Sequence, residues 1–116
     1  MINWQRVTEL RSEIGPDGFS EVVDIFLDEV ETALRRLRAH GTAPQLEADL
    51  HFLKGCAWNL GFREFGAHCN DGELQARRGL QAPIDFDAIE NCYDLSKVVF
   101  ASGLENIALG RDPEAD

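Results

Sequence analysis

Positive charge is scarce in this chain. Its 116 residues hold 11 lysines and arginines against 21 acidic side chains, a formal net charge of −10. Nucleic-acid affinity rests on clustered cations that displace counterions from phosphates, so this balance excludes a phosphate-backbone binder. It also opposes docking on anionic membrane surfaces and suits partners that present basic or apolar surfaces. Long apolar runs are missing too. Nothing approaches the ~18 consecutive apolar residues of a membrane span. The opening residues MINWQRVTELRSEIG lack the basic-then-apolar order of a signal peptide. There are three cysteines, Cys56, Cys69 and Cys92, and no Cys-x-x-Cys. That usage fits a reduced, cytoplasmic protein with small buried thiols. His68 beside Cys69 has no closing ligands at metal-binding spacing, so no metal site is expected. There is no alternating strand pattern, no internal repeat and no Gly-rich phosphate loop.

Apolar residues at helical spacing are abundant. With 44% hydrophobic residues, the chain can build one core. Trp4, Val7, Leu10 and Ile14 mark a short helix over residues 3 to 14, and GPDG at 15 to 18 breaks it. A second helix runs from Asp17 to Ala39 on Phe19, Val22, Val23, Phe26, Leu27, Val30, Ala33, Leu34 and Leu37. Acids lie early in it and arginines late, as the helix dipole favours. After the turn HGTAP, Thr42 is an N-cap candidate for a third helix that ends near Gly61. A fourth helix spans Arg63 to Arg78, with Phe65, Cys69, Gly72 and Ala76 on one face. The loop GLQAPID follows. The fifth helix starts at the N-cap candidate Asp85 and reaches Leu109 on Phe86, Ile89, Cys92, Tyr93, Leu95, Val99, Phe100, Leu104 and Ile107. The expected fold is all-α: an antiparallel up-down four-helix bundle with a short additional N-terminal helix. Residues 1–110 form a single domain in this reading, and 111–116 a polar, frayed C-terminal tail.

The third helix carries the informative pattern, HFLKGCAWNLG at residues 51 to 61. At about 100° per residue, Leu46, Leu50, Leu53, Ala57 and Leu60 form one narrow core stripe. His51, Gly55, Trp58 and Phe62 fall on the far side, with Lys54 between the stripe and His51 and with Glu47 one turn before it. Gly55 costs roughly 1 kcal/mol relative to alanine in a helix. It is a surface neighbour of His51 four residues on, and it leaves room over the ring for another molecule. A neutral imidazole can attack an electrophilic phosphorus, and the Lys54 ammonium could stabilise the anionic oxygens. Trp58 and Phe62 are apolar groups on a face that should be wet, which suggests docking, unless the N-terminal helix covers them.

These residues closely resemble the signature of histidine-containing phosphotransfer (HPt) domains of two-component phosphorelays: His-x-Leu-Lys-Gly-[Ser/Ala/Cys]-Ala-x-Asn-hydrophobic-Gly. His51 matches the phosphoacceptor, Lys54 and Gly55 the lysine and glycine. Leu53, Ala57, Asn59 and Gly61 match supporting positions. The chain departs from the pattern at Phe62, where a small residue is common, and at Gly72-Glu73, where Leu-Glu is common. The second departure reads as a matter of packing in the fourth helix and not of chemistry. The resemblance implies a phosphorelay intermediate without kinase activity. His51 would accept a phosphoryl group from a receiver-domain phosphoaspartate, or from a kinase, and pass it to another receiver. Trp58, Phe62 and Glu47 would form the docking face. The partners implied are response-regulator receiver domains and possibly a hybrid histidine kinase. The chain would need no cofactor of its own, Mg²⁺ residing on the receiver, and would act as a cytoplasmic monomer. The alternative is a non-phosphorylated adaptor that binds receivers or kinases without transfer.

Overall fold

The structure is a computed structural model that describes residues 1–39, 42–79 and 84–115. Five helices account for most of these residues, with no strand among them: α1 (Trp4–Ile14), α2 (Pro16–Leu37), α3 (Ala43–Leu60), α4 (Arg63–Arg77) and α5 (Phe86–Ala108). His40 and Gly41 of the expected turn, and residues 80–83 of the expected loop, lie outside the described residues.

Local chemistry sets the helix ends. The Asn3 side chain accepts a hydrogen bond from the Arg6 amide at 3.2 Å and caps α1. Gly15 closes α1 through its amide to the Arg11 carbonyl, and its φ of 91° places Pro16 at the first position of α2. Thr42 caps α3 through Gln45, and Asp85 caps α5 through Ala88. Gly61 ends α3 in the left-handed region, at φ 88° and ψ 16°.

Cross-helix pairs show the topology. The chain reverses over Gly61 and Phe62, and α4 runs back along α3. Trp58 lies against Gly66, His51 meets Glu73, and Glu47 meets Arg77. On the other side of α3, Arg36 of α2 forms a two-pronged pair with Asp49. Helix α5 packs on α4 through Phe65 and Tyr93, whose rings are 5.2 Å apart. It returns to α2 through Arg38 with Glu90 and through Lys97 and Tyr93 with Glu31. The four helices thus form an antiparallel up-down bundle. Helix α1 crosses one end, with Trp4 stacked on Phe100 at 6.0 Å. The expected stripe of α3 is the buried one: Leu46, Leu50, Leu53, Ala57 and Leu60 are each at most 5% exposed.

Three expectations need correcting. Phe62 does not belong to a docking face: it is 1% exposed and lies in the core. Counting 100° per residue fails beyond Gly61, because the left-handed residue ends the helix there. The backbone of Phe62, at φ −82° and ψ 79°, turns its ring inward onto Phe100 at 5.1 Å and Tyr93 at 6.2 Å. The N-terminal segment closes over it, through an Ile2–Phe62 bridge and the Asn3 amide on the Gly61 carbonyl at 2.7 Å. Second, Leu95 and Val99 are 59% and 40% exposed, outside the buried face of α5 formed by Ile89, Cys92, Tyr93, Ser96 and Phe100. Third, residues 111–115 do not fray. They fold back onto α5, where the nearly buried Asn106 amide donates to the carbonyls of Ala115 at 2.9 Å and Pro113 at 3.4 Å.

Replacing Phe62 with alanine removes a buried ring that joins the N-terminal segment, α4 and α5. Urea denaturation should show a loss of about 3–5 kcal/mol. A loss under about 1 kcal/mol would return Phe62 to the surface.

Candidate functional site

The site lies midway along α3, on the side that faces α4. Leu50 and Leu53, both fully buried, anchor that turn of the helix from behind. On the outer side the His51 side chain is 70% exposed. Gly55 lies one turn on, and a Cβ built there would meet nothing within 4 Å. The space next to the ring is therefore open, and no packing demand explains this glycine.

A carboxylate stands behind the ring. Glu73 of α4 has a side chain only 2% exposed, and three basic groups converge on it. The His51 Nδ1 is 3.0 Å from Oε1 and 3.3 Å from Oε2. The Lys54 ammonium donates at 2.8 Å to Oε2 and 3.2 Å to Oε1. Arg77 Nη2 donates to Oε1 at 3.2 Å. Burial alone would push the Glu73 carboxyl up. The hydrogen bonds from Lys54 and His51 and their charges outweigh it and hold the group below the usual carboxylate value. Glu73 is thus an anion at neutral pH.

That anion sets the chemistry of the ring. A carboxylate can only accept, so Nδ1 must carry the hydrogen and donate it. In the neutral ring the lone pair then resides on Nε2, the nitrogen on the exposed side chain that Glu73 does not engage. The arrangement offers an oriented, accessible nucleophile with a cation beside it.

Other predicted residues join this face. Lys54 is 17% exposed and lies over the Trp58 ring, 5.6 Å from its centroid. Trp58 is 51% exposed, with the pyrrole part of its indole against Gly66, where an added Cβ would lie 2.3 Å from Nε1. Only glycine at 66 admits that ring position. Glu47 pairs with Arg77 Nε at 3.0 Å. On the other flank of His51, toward α2, Phe52 is 42% exposed beside Asp28, Glu29, Thr32 and Arg36, an apolar group that helical spacing does not single out.

By sequence pattern alone Gly72-Glu73 is a matter of packing. In the fold, Glu73 touches the candidate nucleophile, and Gly72 makes room for Leu50 and Ile89. A signal was available. Glu73 follows Cys69 by four residues, at the edge of the α4 apolar face, and an acid at such a position requires partners. Arg77, one turn further, was also missed. Away from the site, Cys56, Cys69 and Cys92 are buried free thiols, and burial pushes the Cys69 thiol far up. Among the described residues, no group of three His, Cys, Asp or Glu is placed to hold a metal. No described helix is long and apolar enough to cross a membrane.

The depressed Glu73 acid has a consequence for stability. An acid whose folded pKa lies below its unfolded value of about 4.3 stabilises the fold fully above that value and loses this contribution as pH falls through the folded pKa. Glu31, lowered chiefly by its hydrogen bonds from Lys97 and Tyr93, acts in the same direction. The denaturation midpoint should therefore fall below about pH 4.3, and Glu73→Gln should flatten that fall. An unchanged acid limb in the variant would remove the charge from Glu73.

The sequence model of the Hpt domain, a phosphotransfer carrier of two-component signalling and not a kinase, matches residues 21–108. No curated protein and no solved structure matches the chain at a significant level. The matched segment runs from within α2 to the end of α5 and includes every residue around His51. The chain belongs to the Hpt domain family.

Proposed function

We propose that His51 is the phosphoacceptor of a phosphorelay intermediate and that Nε2 is the nitrogen that bears the group. One observation carries this reading: His51 is exposed, with Nδ1 engaged by a buried carboxylate and open space over Gly55. A receiver domain carrying a phosphoaspartate docks on the face around Trp58 and Phe52. The Nε2 lone pair attacks phosphorus. The bond between phosphorus and the aspartyl oxygen breaks, and its electron pair leaves with the aspartate carboxylate. The ring, now N-phosphorylated with its Nδ1–H retained, carries a positive charge that the Glu73 carboxylate stabilises, much as a buried acid supports a catalytic histidine. Lys54 offsets charge on the phosphoryl oxygens. Transfer to a second receiver is the same step reversed.

In this reading Mg²⁺ belongs to the receiver, and the chain acts as a cytoplasmic monomer in exchange with receivers and their kinase.

The test is phosphotransfer from a phosphorylated receiver. Wild type should acquire acid-labile label, and His51→Gln should acquire none. Label that persists on the variant overturns the assignment, and a receiver that binds without transferring points to an adaptor. Gly55→Glu provides an independent check. Its Cβ meets open space, so stability should change by less than about 1 kcal/mol. Transfer should nevertheless slow by at least about tenfold, a loss of roughly 1.4 kcal/mol of transition-state stabilisation. Unaltered transfer would contradict the clearance role.

A further inference from the structure

Glu73 and the family pattern account for one cation, Lys54, and leave Arg77 unexplained. Lys54 is largely covered, bound to both oxygens of Glu73 and set on the Trp58 side of the ring. Arg77 lies on the other side, one turn along α4 from Glu73, and is 57% exposed. Its guanidinium is divided between two acids. Nη2 donates to Glu73 at 3.2 Å and Nε to Glu47 at 3.0 Å. Nη1 has no hydrogen bond among the described residues. Glu47 is the residue one turn before His51 on α3, so its carboxylate and the imidazole are surface neighbours. The face thus holds two acids, Glu47 and Glu73, and two cations, Lys54 and Arg77, around His51. In the resting protein these charges balance.

A phosphoryl group changes that balance, because it brings about −1.5 to −2 of charge and three strong acceptor oxygens. The guanidinium fork matches such oxygens better than an ammonium does. Glu47 holds the guanidinium by the shorter contact, but its side chain is 36% exposed against 2% for Glu73, so water can replace the guanidinium at Glu47 and cannot at the buried acid.

We propose that Arg77 is a second positioning cation for the phosphoryl group on His51, held in reserve by Glu47 until phosphorylation gives its guanidinium a stronger anion. The proposal rests on the phosphoacceptor reading of His51. Glu73 holds one end of the guanidinium near the ring in both states, and the Glu47 contact is the one exchanged. The device keeps the resting face neutral and stabilises the phosphorylated form relative to the free one.

The full chain can be phosphorylated with phosphoramidate, a small donor. The donor's P–N bond breaks as a new one forms at the imidazole, and ammonia leaves. The ³¹P resonance of the phosphohistidine, followed against pH, reports the charge around the phosphoryl group. Circular dichroism confirms that each variant is folded. Arg77→Ala should raise the phosphoryl titration midpoint by roughly half a unit at low salt, an effect that shrinks as salt is added. Arg77→Lys should recover part of the shift. Glu47→Gln should lower the midpoint in the presence of Arg77 and change it little in an Arg77→Ala background. A merely structural ion pair would leave the phosphoryl titration where it is. A wild-type midpoint in Arg77→Ala overturns the proposal. So does a Glu47→Gln shift that is equal with and without Arg77. If wild type takes no phosphoryl group, or if His51→Gln is labelled equally, the phosphoacceptor reading itself fails, and this inference with it.

Discussion

The buried carboxylate of Glu73 is the contact on which the rest of the site depends. An acid 2% exposed is costly to ionise unless donors surround it. Here an imidazole, an ammonium and a guanidinium converge on its two oxygens. Each contact serves both parties. The donors keep the acid ionised, and the acid fixes the tautomer of His51, restrains Lys54 and holds Arg77 near the ring. Removing the acid would leave two cations and a freely rotating imidazole in its place. Removing any one donor would leave the other two to satisfy the charge.

The bundle makes that arrangement rigid. Two residues connect α3 to α4, so the register between the helices is set by the left-handed turn at Gly61 and the anchored ring of Phe62. The N-terminal segment locks the turn from outside through the Asn3–Gly61 and Arg63–Met1 backbone hydrogen bonds. From that fixed end the pairs Trp58 with Gly66, His51 with Glu73 and Glu47 with Arg77 follow in order. A slip of one residue at the turn would move Glu73 off the His51 face. This ties core packing at one end of the bundle to nitrogen chemistry about three turns away. The openness of the site follows from the same scaffold. Gly55 faces solvent, while Trp58 rests against α4 because Gly66 has no side chain. A receiver that docks as proposed would meet a preformed surface and need not order it.

Much of this was legible in the sequence because it is local. Gly15-Pro16, Thr42 and Asp85 end or start helices through hydrogen bonds made within a turn, and they do so in the fold. The α3 core stripe and the exposed position of His51 follow from helical period alone. What escaped is non-local or lies where the period breaks. Phe62 follows a left-handed glycine, so its direction cannot be counted from α3. Leu95 and Val99 have the composition of a core face, but they stay 59% and 40% exposed among the described residues. Asn106 catches the tail through its side chain, a contact that no spacing rule announces. Glu73 and Arg77 matter because α4 lies antiparallel to α3 in one register, and pattern within α4 does not reveal which residue of α3 stands opposite. The motif around His51 was recognisable, while its electrostatic support lay on another helix.

The claim that orders these observations is that Glu73 places the hydrogen of His51 on Nδ1 and leaves Nε2 as the nucleophile. Nitrogen-15 NMR of the histidine-labelled protein, recorded where the ring is neutral, reads this directly. The wild type should show a single tautomer with hydrogen on Nδ1, and Glu73→Ala a mixed population. Hydrogen on Nε2 in the wild type, or a tautomer indifferent to Glu73, would contradict it.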